Sequence, residues 1–229
     1  MNMRIDILTL FPDMYQGVFE ESIIKRAKEM GKVEIYFHNF RDDSLDPHKK
    51  VDDTPYGGGP GMVLACQPIF DCVAKIRKKD SKVILLTPSG KVYKEKMAIQ
   101  LSHEKHLILI CGHYEGFDER IRTICDLEIS IGDYVLTGGE IASMVLVDSI
   151  VRLLPDVISK DSLLEESFSN QLLDYPTYTK PAIYKGLKVP EVLLSGNHAL
   201  IEKWRKEAAY NKTLEMRPDL VEGDKNGML

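Results

Sequence analysis

The chain has 229 residues, 44% of them hydrophobic, and a formal charge of −5, which allows one or two domains with a substantial core. This balance excludes a globally basic nucleic-acid binder, so any polyanion must be met by a local patch. No apolar run approaches the roughly 20 residues that span a bilayer.

Met1-Asn2-Met3-Arg4 runs directly into a strand pattern without a signal-peptide layout. Cys66, Cys72, Cys111 and Cys125 lack Cys-x-x-Cys spacing. The expectation is a cytoplasmic protein with buried, reduced thiols and no membrane partner.

Residues 4–10 read as a strand stopped by Phe11-Pro12. Residues 14–30 carry Val18, Ile23, Ile24 and Ala27 at helical spacing, with Gly31 as the stop. Residues 33–37 read as a second strand, and 41–61 form the least regular stretch, rich in Asp, Pro and Gly. A helix is predicted over 67–79. The unbroken runs Val83-Ile84-Leu85-Leu86 and Leu107-Ile108-Leu109-Ile110-Cys111 indicate strands covered on both faces, as in a parallel sheet. His103 and His106 fall on a predicted surface helix, where a solvated face explains the pair better than a metal site.

The helix over 140–154 is apolar almost all round and should be buried, against a second subunit or the core. After Pro155 the character changes: 159–171 is polar and acidic, reading as a hinge or mobile loop. Pro176, Pro181 and Pro190 then divide the chain into short pieces before one helix, capped by Ser195-Gly196-Asn197 and running to about Tyr210. On this helix Trp204 reads as core. The fold class is α/β, an open and mainly parallel sheet over 1–158, with an interdomain loop at 159–172 and a small, mainly helical C-terminal domain at 173–229.

Several chemistries are missing. No Gly-x-Gly-x-x-Gly follows a strand, Gly57-Gly58-Gly59-Pro60-Gly61 lacks the Lys-Ser/Thr ending of a P-loop, and no Gly-x-Ser-x-Gly occurs. What remains is three glycine-bearing loops at strand ends, 87–90, 112–116 and 130–139. Glycine lets backbone approach a ligand closely, and exposed amides and carbonyls suit a flat, neutral, hydrogen-bonding ligand such as adenine. For 130–139 alone, a tight turn between buried elements is an equally good reading. Arg152, at the end of the apolar helix, reads first as an i, i+4 partner of Asp148, and Glu165-Glu166 as a solvated acidic loop. Residues 173–217 hold eight Lys/Arg against five Asp/Glu, so a phosphate-contacting patch belongs there if anywhere.

Five long motifs, in order, resemble one family over nearly the whole chain. They are residues 51–62 (Val-Asp-Asp-Thr-Pro-Tyr-Gly-Gly-Gly-Pro-Gly-Met), 111–120 (Cys-Gly-His-Tyr-Glu-Gly-Phe-Asp-Glu-Arg), 130–140, Tyr178-Thr179-Lys180-Pro181 and 193–199. The chain resembles the bacterial tRNA (guanine-N(1)-)-methyltransferases of the SPOUT class. That resemblance implies methyl transfer from S-adenosylmethionine to the guanosine just 3′ of the anticodon. It implies a trefoil-knotted cofactor site, and a homodimer whose active sites are shared between subunits.

Matched by position, the resemblance puts the methyl donor on Thr87, Pro88, Gly112, Tyr114, Glu115, Gly116, Ser130, Ile131, Gly132, Asp133, Tyr134, Val135, Leu136, Gly138 and Gly139. It puts tRNA on Asp52, Gly59, Pro60, Gly61, Lys180 and Arg205. The family's general base is the Asp of an Asp-Ser-Phe motif, which reads Glu166-Ser167-Phe168 here. Glu166 is therefore the implied base, with Glu165 or Asp161 next in line, and Arg152 is implied to stabilise charge on the guanine oxygen. The family favours Gly at Gln171 and Arg at Met216. No metal ligand set is implied, although a divalent ion is compatible with the chemistry. The competing readings are a SPOUT enzyme acting on a ribose 2′-hydroxyl, and a non-catalytic RNA-binding protein that keeps the glycine loops as scaffold.

Overall fold

Five parallel strands carry the first half of the molecule: β1 (Met3–Leu8), β2 (Val33–His38), β5 (Ser81–Val92), β6 (His106–Cys111) and β7 (Leu127–Ser130). Their order across the sheet is β2-β1-β6-β5-β7. The computed structural model describes residues 2–159, 162–163, 166–168 and 170–221. The chain divides into two compact units, Met1–Ile158 and Ser159–Leu229.

In the first unit β6 is buried at every position, as its unbroken apolar run requires of a strand covered on both faces. One face of the sheet packs on α2 (Ser22–Glu29), α4 (Glu95–Leu101) and α5 (Glu140–Val151), with Leu107, Leu109, Leu146 and Ile150 at the centre. The other packs on α3 (Cys66–Ile76) and the 3-10 turns Phe40–Asp43 and Glu119–Ile124, around Ile108, Ile110, Ile69 and Phe40. A fully buried Leu or Ile of this kind contributes roughly 1.5–3 kcal/mol by transfer from water.

The predicted 14–30 helix is interrupted. A 3-10 turn (Pro12–Tyr15) and α1 (Gln16–Phe19) precede α2, because Ser22 takes φ +52°, outside the helical region. The stop at Gly31 holds: Lys32 N–H bonds Ala27 O at 2.9 Å and Gly31 N–H bonds Lys28 O at 2.9 Å, a Schellman closure with Gly31 at φ +63°.

His106 is not on a surface helix. It opens β6, where Nε2 donates to Asp6 at 2.5 Å and Nδ1 meets Ser81 Oγ at 2.7 Å. Asp6 is fully buried and also takes Arg4 Nε at 2.6 Å and His38 Nε2 at 2.6 Å. Burial alone would raise the Asp6 carboxyl, but the hydrogen bonds from Arg4, His38 and His106 outweigh it and hold the group well below the usual carboxylate range. All four cysteines are free; Cys72 and Cys111 are buried, whereas Cys66 and Cys125 are half-buried. Burial lifts the Cys111 and Cys125 thiols to about 12, so both stay protonated.

In the second unit β8 (Ile183–Tyr184) and β9 (Leu187–Lys188) form a hairpin through Lys185 and Gly186, both at positive φ. It is followed by α6 (Glu191–Leu194), α7 (His198–Met216) and α8 (Pro218–Val221). The Asn197 side chain accepts from Leu200 N–H at 3.3 Å and caps α7, which runs six residues beyond the predicted end at Tyr210. Trp204 is half-buried rather than core. Among the described residues of this unit only Thr213 is fully buried, its hydroxyl accepting from Leu173 N–H at 2.9 Å and donating to Ala209 O at 2.7 Å.

Candidate functional site

A cleft of about 250 Å³ opens at the carboxyl ends of β6 and β7; on its third side Leu86, Thr87 and Pro88 lie within β5, because the stretch expected as a loop at 87–90 continues the strand to Val92 past a register shift between Leu86 and Lys91. The loops 112–116 and 130–139 and this irregular stretch of β5 wall it, in keeping with the general rule that open parallel sheets bind ligands where strands end. Of the predicted methyl-donor residues, Thr87, Pro88, Gly112, Tyr114, Glu115, Gly116, Ser130, Ile131, Gly132, Tyr134, Val135, Leu136, Gly138 and Gly139 line it, while Asp133 does not. His113 and Thr137, within the predicted loops 112–116 and 130–139, also line it, as do Leu86, Phe117, Ile129 and Ala142, which the sequence reading does not place there.

The walls are held by backbone. After β7 the chain crosses back to the end of β6, where Gly139 N–H bonds Gly112 O at 2.8 Å. A Cβ on Gly139 would sit 2.7 Å from Cys111 Cα and 2.8 Å from Gly112 N, so only glycine permits this approach. Ser130 Oγ pins the turn by donating to Gly132 O at 3.0 Å. Tyr114, Tyr134 and Val135 stand exposed at the mouth.

One floor of the cleft is polar and buried. Glu140, the first residue of α5, is 1% exposed; Oε1 accepts from Thr9 Oγ1 at 2.6 Å and Oε2 from His113 Nε2 at 2.7 Å. Nothing in the sequence separates this acid from an ordinary first-turn partner of the helix dipole, since burial is a tertiary property.

Asp52 lies half-buried on β3 (Asp52–Asp53), paired antiparallel with β4 (Val63–Leu64), and Gly59, Pro60 and Gly61 lie in the connecting loop. This hairpin docks on the cleft wall through Glu115 N–H to Met62 O at 3.0 Å and Leu64 N–H to Gly116 O at 2.9 Å. All four glycines of the loop, Gly57, Gly58, Gly59 and Gly61, have positive φ. Arg152 is half-buried at the C-terminal cap of α5.

In the second unit Glu166 and Arg205 line a cavity of about 280 Å³ together with Leu173, Tyr175 and Lys206. The Arg205 guanidinium lies 4.7 Å from the Tyr175 ring centroid, a cation–π contact. Lys180 is exposed. Glu165 and Asp161 lie outside the described residues. Among the described residues, no three His, Cys, Asp or Glu side chains are grouped to hold a metal ion, and no helix is long and apolar enough to cross a membrane.

Sheet and cleft together make the chain an α/β protein with a largely backbone-walled cleft at the carboxyl ends of parallel strands, the place where such folds bind ligands. Comparison with known proteins narrows this class. The family model described as tRNA (Guanine-1)-methyltransferase TrmD matches residues 3–223. Curated proteins named tRNA (guanine-N(1)-)-methyltransferase are similar over nearly their whole length. The one from Malacoplasma penetrans is 58% identical over 218 residues, 95% of this chain and 96% of that protein. The one from Dictyoglomus turgidum is 56% identical over 221 residues, 96% and 90% respectively. The one from Shouchella clausii is 54% identical over 225 residues, 96% and 92% respectively. The chain belongs to the tRNA (guanine-1)-methyltransferase TrmD family.

Proposed function

We propose that this member of a methyltransferase family transfers the methyl group of S-adenosylmethionine to N1 of the guanosine just 3′ of the anticodon, position 37 of tRNA. The observation that carries the reading is the cleft: two loops that carry motifs of the family, 112–116 and 130–139, and the Thr87-Pro88 stretch of β5 converge on one cavity, walled by backbone and sized for a nucleoside. The donor residues fit such a ligand. Main-chain amides and carbonyls offer the hydrogen bonds an adenosine needs, while Tyr134, Val135 and Leu136 supply apolar surface.

The methyl donor supplies an activated sulfonium methyl; the remaining work belongs to the chain. Guanine N1 keeps its proton at neutral pH and is a poor nucleophile until it is removed. Glu166 takes that proton as the N1–C bond forms and the S–C bond breaks, a role worth roughly 10²–10⁴-fold. Arg152 stabilises the negative charge that develops on the guanine oxygen, worth a few kcal/mol in comparable sites. Asp52 and the 59–61 loop, beside the cleft wall, orient the RNA, and Lys180 and Arg205 meet its phosphates.

Two features of the assembly belong to the same reading. The return of the chain from β7 to the end of β6 supports a trefoil knot, an arrangement almost absent from other folds. The outer side of α5 leaves Ile141 47% and Val145 41% exposed, with Phe11, Met14 and Val18 also exposed. Apolar surface of this kind supports a homodimer with shared active sites. The deciding experiment is methylation of an unmodified tRNA transcript followed by nucleoside analysis. The expected product is 1-methylguanosine at position 37; a ribose-methylated product or no product overturns the reading.

A further inference from the structure

Of the two fully buried acids among the described residues, Asp6 and Glu140, Asp6 spends its hydrogen bonds on Arg4, His38 and His106, none of which lines the cleft. Glu140 is different. Both its oxygens are committed, one to Thr9 and one to His113, and His113 is part of the cleft wall. Thr9 Oγ1 already accepts from Phe11 N–H at 2.9 Å, so its single proton is directed at Glu140. A carboxylate receiving two donors leaves His113 Nε2 as the protonated nitrogen. The Phe11 ring meets the imidazole edge-on at 4.8 Å between centroids, which fixes the ring from a second side.

The third constraint comes from the opposite wall. A Cβ on Gly138 would lie 2.5 Å from His113 Nε2 and 2.6 Å from Glu140 Oε2, so the loop after β7 rests directly on this pair. The pair therefore sits where the 112–116 loop, the 130–139 loop, α5 and the end of β1 meet. A first-turn acid can serve the helix dipole from the surface without being buried. Burying it carries a large desolvation cost unless its partners are held in good geometry.

Resting on the reading of the cleft as the methyl-donor site, we infer that Glu140 and His113 are its positioning residues. The buried carboxylate fixes the tautomer and orientation of His113, and His113 presents Nδ1 to the bound nucleoside while setting the separation of the two backbone walls. Binding sites held to within about 0.5 Å depend on such supporting contacts, and a displacement near 1 Å costs up to about 100-fold.

The test uses the full-length protein and S-adenosylmethionine in titration calorimetry, steady-state kinetics and ¹⁵N-histidine NMR. Glu140→Gln keeps the shape and removes the charge. The expected result is a Kd and KM for S-adenosylmethionine raised about 10- to 100-fold, with kcat at saturation and KM for tRNA within about threefold of wild type. His113→Gln gives the same split. A purely structural role predicts a lowered Tm with unchanged affinity, and that outcome overturns the inference. Should Glu140→Gln not fold, the wild-type spectrum decides. Protonated Nε2 with an Nδ1 resonance that moves on saturation is expected, and an Nδ1 resonance that stays put overturns the assignment. Absence of binding heat with the wild-type protein removes the reading of the cleft, and this inference with it. Heat with wild type and equal heat with both variants removes the inference alone.

Discussion

The two units build functional surface in opposite ways. In Met1–Ile158 the cleft is made of main chain, and the loops that form it are fixed because the strands behind them are buried on both faces. In Ser159–Leu229 the candidate groups are side chains, Glu166, Arg205 and Tyr175, on a frame in which only Thr213 among the described residues is fully buried. The difference teaches that a ligand met by backbone needs a rigid core behind it. An acid or a guanidinium can instead be carried on a light scaffold, where the fold has little to lose if the residue changes. Substitutions should therefore separate by unit: chemistry without fold in the second, fold and ligand together in the first.

The largest expected effect tests that separation. Glu166→Gln should lower the single-turnover methylation rate by about 10²–10⁴-fold while the calorimetric affinity for S-adenosylmethionine and the Tm stay at wild-type values. Full activity in this variant retires Glu166 as the base. The first unit should respond in stability instead. Asp6→Asn removes the centre of a buried charged network and should cost about 3–5 kcal/mol in urea unfolding.

The same carboxylate gives a pH dependence. Its folded-state affinity for protons is lowered from an ordinary value of 3.8, so its contribution is fully present above about pH 4 and drains away as pH falls further. Stability curves measured from pH 7 to pH 3 should steepen below about pH 4 for wild type, and less so for Asp6→Asn. Equal slopes remove Asp6 as the source.

Gly139→Ala probes the backbone wall itself. The added Cβ collides with Cys111 and Gly112, so a cost of about 1–3 kcal/mol should appear in both Tm and methyl-donor affinity. A loss confined to Tm means the wall is scaffold only. The smallest effect belongs to Gln171, a non-glycine residue at φ +61°. A side chain there carries roughly 1–2 kcal/mol of left-handed strain, partly offset by the greater chain entropy of glycine. Gln171→Gly should raise thermal stability by about 0.5 kcal/mol, and a decrease in Tm would show that the Gln side chain itself stabilises the turn.

Much of the first unit was legible in the residues. The runs at 83–86 and 107–111 indicate strands buried on both faces, Gly31 marks a helix end, and the glycine loops 112–116 and 130–139 sit where strands stop, whereas 87–90 continues β5 past a register shift between Leu86 and Lys91. The errors have physical causes. His106 was misplaced because a polar residue at the head of an apolar run looks solvated until its partners Asp6 and Ser81, remote in sequence, are seen. The 14–30 helix was read as continuous because periodicity does not reveal a single left-handed residue at Ser22. His113 and Glu140 fall within quoted motifs, but their pairing is not legible in the sequence because they are 27 positions apart and lie in elements that meet only when the chain returns across the sheet.

The sequence by itself determined four of the five sheet strands, the glycine loops at 112–116 and 130–139 and, through five ordered motifs, the family, because hydrophobic period, turn chemistry and motif order are local properties. Only the tertiary structure decided that those loops form one cavity and that Glu140 lies buried beneath it in contact with His113. Burial and hydrogen-bond partnership depend on which distant segments are brought together, and no local pattern encodes that.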